Sequence, residues 1–139
     1  MENIKTNEEM KQNTADNLKI EVGTTEATPL AAAEVGVNEV SIEEQNDKSG
    51  KRIGDKVVLL CKHPDKDELI KISAVKYEKK NQIKVSGIWF NKDEKGLIQK
   101  GSALSLMMMK FGAKTINDFK GKSLPTTLDE KGYLCVKAY

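Results

Sequence analysis

The sequence predicts a mainly β domain, a small barrel with one helix, set behind an N-terminal arm that has no core of its own. Three observations lead there. Residues 69–77 and 83–90 alternate apolar and polar side chains on either side of Lys79-Lys80-Asn81, the pattern of a β-hairpin. Only 103–111 carries a helical period. The chain also changes character at Gly50. Residues 1–50 hold four Lys against eleven Asp and Glu, a net −7; residues 51–139 hold nineteen Lys and Arg against ten acids, a net +9.

The arm, 1–50, has no aromatic residue and only scattered apolar ones, too few to offset the entropy of ordering it. Two stretches inside it are better patterned. Leu30-Ala-Ala-Ala-Glu-Val-Gly36 could form a helical turn after Pro29. Residues 35–42 alternate imperfectly through Val35, Val37, Val40 and Ile42. Both are expected to be disordered in the free chain and to order only on a partner.

The domain, 51–139, opens with the apolar run Val57-Val-Leu-Leu-Cys61, a short buried strand. A polar turn around Pro64 follows. In 69–77, Ile70, Ile72 and Ala74 share one face, and Lys71, Ser73 and Tyr77 the other. In 83–90, Ile83, Val85, Gly87 and Trp89 alternate as the core side, against Lys84, Ser86, Ile88 and Phe90; Gly87 suits a bend. After a charged loop, Ser102 is placed as N-cap of a helix whose Leu104, Met107, Met108 and Phe111 form one apolar face, with Gly112 as its end. The Met107-Met108-Met109 run is therefore core filling, with Met109 pointing elsewhere. Thr115-Ile-Asn-Asp118 resembles a capping box. Residues 123–128 form a strand interrupted by Pro125, hence an edge. Asp129-Glu-Lys-Gly132 is a turn, and 133–139 the last strand, with Leu134, Val136 and Ala138 facing one way and Tyr133, Cys135, Lys137 and Tyr139 the other.

Little in this pattern supports catalysis. His63 is the only histidine, and no nucleophile stands beside it. His63, Asp65, Asp67 and Glu68 include ligand-type residues, but Lys62 and Lys66 lie among them, and a solvated loop is the reading adopted, with no metal and no cofactor expected. There is no phosphate-binding glycine loop and no CxxC pair. Cys61 and Cys135 sit in apolar runs and read as buried thiols. No apolar run approaches the roughly 20 residues of a membrane span. The expected setting is cytoplasmic, or the host cytoplasm if the protein is viral.

The charge points instead to a polyanion. Eighteen of the domain's nineteen cations are Lys, a point charge suited to phosphate more than to bidentate base reading, so little sequence specificity is expected. Aromatic residues interleaved with Lys on a sheet suit a single nucleic-acid strand, its bases on rings and its phosphates on Lys.

Three strands, a helix and two strands are the element order of the OB-fold, whose strand 2–3 face commonly binds oligonucleotides. Gly101-Ser-Ala-Leu-Ser-Leu-Met-Met-Met-Lys-Phe-Gly112, Thr115-Ile-Asn-Asp-Phe-Lys-Gly-Lys-Ser-Leu124 and Gly132-Tyr-Leu resemble the small single-stranded DNA-binding-like proteins of phages and mobile elements. The resemblance covers roughly 56–139. It departs from bacterial single-stranded DNA-binding proteins in placing the acidic segment at the N-terminus. It implies a non-enzymatic protein that binds single-stranded DNA or RNA. Tyr77, Trp89, Phe90 and Tyr133 are its stacking candidates, although alternation places Trp89 with the core. Lys71, Lys76, Lys79, Lys80, Lys84 and Lys137 are its backbone contacts. The arm would then lower affinity or recruit a protein partner. The alternative from another class is a protein-interaction or assembly module, of viral or other origin, whose arm folds on a protein. A domain of this size could also need a second copy for stability.

Overall fold

Backbone pairing begins well before Gly50. In the computed structural model, which describes residues 18, 19, 21, 22 and 30–139, strand β1 (Val35–Asn46) runs antiparallel to β2 (Arg52–Lys62). Half of what sequence patterning assigned to the arm is thus barrel, and the boundary moves from Gly50 to about residue 30. The imperfect alternation of Val35, Val37, Val40 and Ile42 has a structural cause. Val37 pairs with Cys61, the register then shifts, and Glu39 pairs with Leu60 and Val40 with Leu59. One extra residue, Asn38, interrupts the period while keeping all four apolar side chains on one face, as a β-bulge does. The expectation for residues 1–17, 20 and 23–29 lies outside the described residues.

The new boundary redistributes charge. Residues 1–29 hold three Lys against six acids, a net −3, and residues 30–139 hold twenty Lys and Arg against fifteen acids, a net +5. The asymmetry keeps its sign and loses much of its size.

From β2 the chain turns into β3 (Ile70–Ile72), antiparallel to it, and continues past Ser73 as β4 (Ala74–Lys79). A two-residue turn, Lys80-Asn81, leads into β5 (Gln82–Gly87), with both turn residues at positive φ, 52° and 63°. That is the conformation whose twist matches a hairpin, and Asn tolerates it well. Helix α1 (Ala103–Phe111) and a single 3₁₀ turn (Ile116–Phe119) follow. The short strands β6 (Ser123–Leu124) and β7 (Thr126–Leu128) flank Pro125, and β8 (Leu134–Ala138) is last.

The two four-stranded sheets, β3-β2-β1-β6 and β5-β4-β8-β7, share chain at two corners, Ser73 and Pro125. β8 lies parallel to β4 and antiparallel to β7, while β6 lies antiparallel to β1. The circuit β1–β2–β3/β4–β8–β7/β6–β1 therefore curls round an interior, an OB-like arrangement with β5 added outside it. A parallel pair needs a long crossover, and α1 lies within the one joining β4 to β8. Val57, Leu59, Ile72, Val75, Ile88 and Val136 line the interior, closed by Leu104 and Met107 of α1 and by Phe119, all at most 2 % exposed. As expected, the Ser102 hydroxyl accepts the Ser105 N–H at 3.1 Å, Gly112 ends the helix at φ 68°, and Met109 is exposed.

Two faces are reversed relative to the sequence reading. Ile72 and Val75 are both core residues, so the alternation slips by one residue at Ser73. Tyr77 consequently turns toward the core, and Lys76 turns out. In β5 the turn, not hydrophobicity, sets the parity: Lys79 pairs with Gln82, which leaves Ile83 and Val85 outside and Ile88 fully buried. Gly87 makes no bulge but pairs with Ala74, and it leaves room for Lys56, whose Cε would lie 2.6 Å from a Cβ there.

Residues 30–34 are strapped to this frame. His63, wholly buried rather than solvated, accepts the Asp65 N–H on Nδ1 at 3.0 Å and donates from Nε2 to the Ala31 carbonyl at 2.8 Å. The Thr126 hydroxyl accepts from Ala33 N–H and donates to Ala33 C=O, at 2.9 and 2.5 Å.

Two outcomes test this account. A 30–139 chain should show a cooperative thermal transition by circular dichroism, and a 51–139 chain should not, because it lacks β1. Thr126→Val should lower stability by about 1–2 kcal/mol in urea titration, since both bonds to Ala33 are lost.

Candidate nucleic-acid interface

Cross-strand neighbours share a face, so the pairing register shows which expected contacts meet. Lys76 of β4 has Val85 of β5 on one side and Lys137 of β8 on the other. These three, with Ile83, lie outside the barrel. Lys137 is exposed and holds its ammonium 5.2 Å from the Tyr139 ring.

Next to this row stands the turn between β7 and β8. Asp129 builds it, its carboxylate accepting the N–H groups of Lys131 and Tyr133, each at 2.9 Å, with Gly132 at φ 84°. That geometry stands Tyr133 out from the surface, 68 % exposed. On one side of the turn a groove of about 420 Å³ is lined by Tyr133, Lys131, Lys71, Ile70 and Leu30 among others. On the other, a hollow of about 430 Å³ is lined by Lys131, Lys76, Ile83, Val85, Asp129 and Glu130. Lys131 lines both, and we take the two depressions, with the turn between them, as one candidate track from β3 to β5.

Of the expected residues, Lys71 and Tyr133 line the first depression and Lys76 the second, with Lys137 beside Lys76 on the neighbouring strand. The others lie elsewhere. Tyr77 and Phe90 are half-buried and pack against the core, Phe90 with Lys92 5.6 Å from its ring. Lys79 donates to the Gly101 carbonyl at 2.7 Å, tying the hairpin to the loop before α1. Lys80 serves the turn. Lys84 is exposed, opposite Tyr77 and on the other face of β5 from Val85.

Trp89 stands apart from all of these. Expected on the core side, it lies outside, where its ring covers Gly54 and the Lys56 ammonium sits 4.7 Å from its centroid. A Cβ on Gly54 would lie 3.3 Å from the ring, and its φ of 151° also disfavours a side chain. Cation–π attraction of this kind contributes about 0.5–1 kcal/mol where exposed.

Lys131, which lines both depressions, was legible in the sequence only as part of a turn. Lys71 is not a free cation. Its ammonium lies 3.4 Å from Glu43 of β1, and Lys120 is likewise 3.2 Å from Glu39. Exposed pairs of this kind contribute little to stability.

Among the described residues, no cluster of three metal-ligating side chains is present and no helix is long and apolar enough to cross a membrane. No protein-family model, curated protein or solved structure matches the chain.

Both thiols are buried and free. Burial pushes Cys61 up to about 11, and burial with the nearby Asp129 carboxylate raises Cys135. The folded state therefore keeps the Cys61 proton where the unfolded chain has lost it. Stability from this group is complete below about pH 9 and is lost as pH rises toward 11. Neither thiol should react with a disulfide reagent at neutral pH until denaturant is added, and Cys61→Ala should flatten the fall in urea midpoint over that alkaline window.

Proposed function

We propose that the protein binds single-stranded nucleic acid along this track, with little sequence preference and without catalysing a reaction. The observation that carries the reading is the exposed Tyr133 ring lining one groove with Lys71 and Lys131, with the Lys76–Lys137 row, Val85 and Ile83 on the other side of the turn. A base stacked on Tyr133 would place its neighbouring phosphates near ammonium groups on both sides. Lysine supplies charge without a planar fork, which favours backbone over base edges.

The acidic parts of the chain act as competitors. Glu43 must give up Lys71 before a phosphate can take it, and residues 1–29, at net −3, add a diffuse repulsion that salt screens. The arm thereby lowers affinity for weak, non-cognate polyanions or recruits a basic protein.

Fluorescence anisotropy with labelled oligo-dT at two salt concentrations tests this. Binding should weaken steeply with salt because counterions are released. Tyr133→Ala should lose about 1–3 kcal/mol of affinity, the stacking contribution of one base. Replacing Lys76 and Lys137 together by Ala should reduce the salt slope by roughly 1.4, at ~0.7 per phosphate contact. Glu43→Gln and deletion of 1–29 should each tighten binding. Absence of binding at low salt, for both the full chain and 30–139, would remove the reading.

A further inference from the structure

Strand β5 stands outside the barrel circuit, and its neighbours fix which of its backbone groups are used. Ile88 N–H donates to the Ser73 carbonyl and Phe90 N–H to the Asp55 carbonyl, both at 2.8 Å. The even-numbered residues of this stretch therefore aim their amides at β4 and β2. In an antiparallel ladder the intervening residues aim theirs the opposite way. Ile83, Val85 and Gly87 thus present N–H and C=O groups along an edge that has no strand partner among the described residues. The edge lacks the usual protections: β5 contains no proline, and its register with β4 runs without a bulge. Its one charge, Lys84, is on the face away from Ile83 and Val85, which are 47 % and 43 % exposed; only at the Gly87 end does a lysine, Lys56, lie against the strand, and there the Gly87 carbonyl also accepts the Ser86 hydroxyl at 2.9 Å.

We propose that this edge pairs, antiparallel, with the same edge of a second copy of the chain, about a two-fold axis at Val85. The sequence of β5 selects that register. Centred on Val85, the pair sets Val85 against Val85, Ile83 against Gly87 and Lys84 against Ser86, and uses every outward N–H and C=O of 83, 85 and 87. Centred on Lys84, it would set two ammonium groups opposite each other, which is destabilising. Centred on Ser86, it would set Val85 against Gly87 and form no valine pair. A two-fold contact of this type closes on itself and stops at two copies. The sheets would join as β7-β8-β4-β5 of one copy and β5-β4-β8-β7 of the other.

The test uses the full chain in sedimentation equilibrium. Val85→Pro removes an N–H that the protein's own ladder does not use, a substitution that edge strands accommodate, yet it blocks strand addition. The wild type should sediment at twice the monomer mass at concentrations where Val85→Pro is monomeric with an unchanged circular dichroism spectrum. Val85→Lys, which keeps the backbone donor and sets two like charges across the axis, should also be monomeric, and it decides the matter if the proline variant does not fold. A wild type that stays monomeric throughout overturns the proposal, as do folded variants that dimerise like wild type. A full chain that is monomeric while 30–139 dimerises also overturns it, and assigns the edge to the arm of the same chain.

Discussion

The parallel pairing of β4 with β8 is the constraint on which the rest of the molecule hangs. Three residue pairs make it, Val75 with Val136, Lys76 with Lys137 and Tyr77 with Ala138. The first pair is fully buried and joins core from the middle of the sequence to core from its end. Because strands in parallel cannot be joined by a tight turn, some fifty residues must travel between them, and they bring α1 and Phe119 to close the barrel. The alternation that sends Val75 and Val136 inward sends Lys76 and Lys137 outward as neighbours. The cationic row is thus a by-product of core register, held in place by residues it never touches.

Much of this was legible in the sequence. The Ser102 cap, the Gly112 stop and the apolar face of α1 are local features whose chemistry is complete within a few residues, and each was read correctly, as was the tight turn at Lys79-Lys80-Asn81 apart from Lys79, which ends β4. The failures share a different cause. The bulge at Asn38 and the slip at Ser73 each break a period of two, and a broken period resembles no strand or the wrong face. For 35–46 the acidic composition reinforced the error, since its apolar residues suffice only when β2 covers them. In β5 the exposed Ile83 and Val85 suggested a core side that the turn register forbids. His63 looked solvated because its partners, Ala31 and the Asp65 amide, include one that lies thirty-two residues away in sequence.

Of the interface, four of ten expected residues line or adjoin the two depressions. Charge type was readable, because composition survives any error of register. Which lysines share a face was not, since a one-residue slip exchanges the faces. The acidic strand also changes the electrostatic picture. Glu39 and Glu43, once part of a loose competitor, are fixed beside Lys120 and Lys71 by β1. Under the proposed function, a phosphate would have to displace the Glu43 carboxylate from Lys71 whatever the arm does.

The placement of Trp89 has a practical consequence. It is the only tryptophan of the chain, and it lies against Gly54 with an ammonium near its ring rather than in the interior. Its emission is therefore a gauge of the barrel's outer skin, sensitive to a quencher or a stacked base there and nearly blind to how Leu59, Ile72 and Phe119 are packed. A change in its colour would report an event at the strand β2–β5 junction, and a loss of the core could pass with only a modest signal.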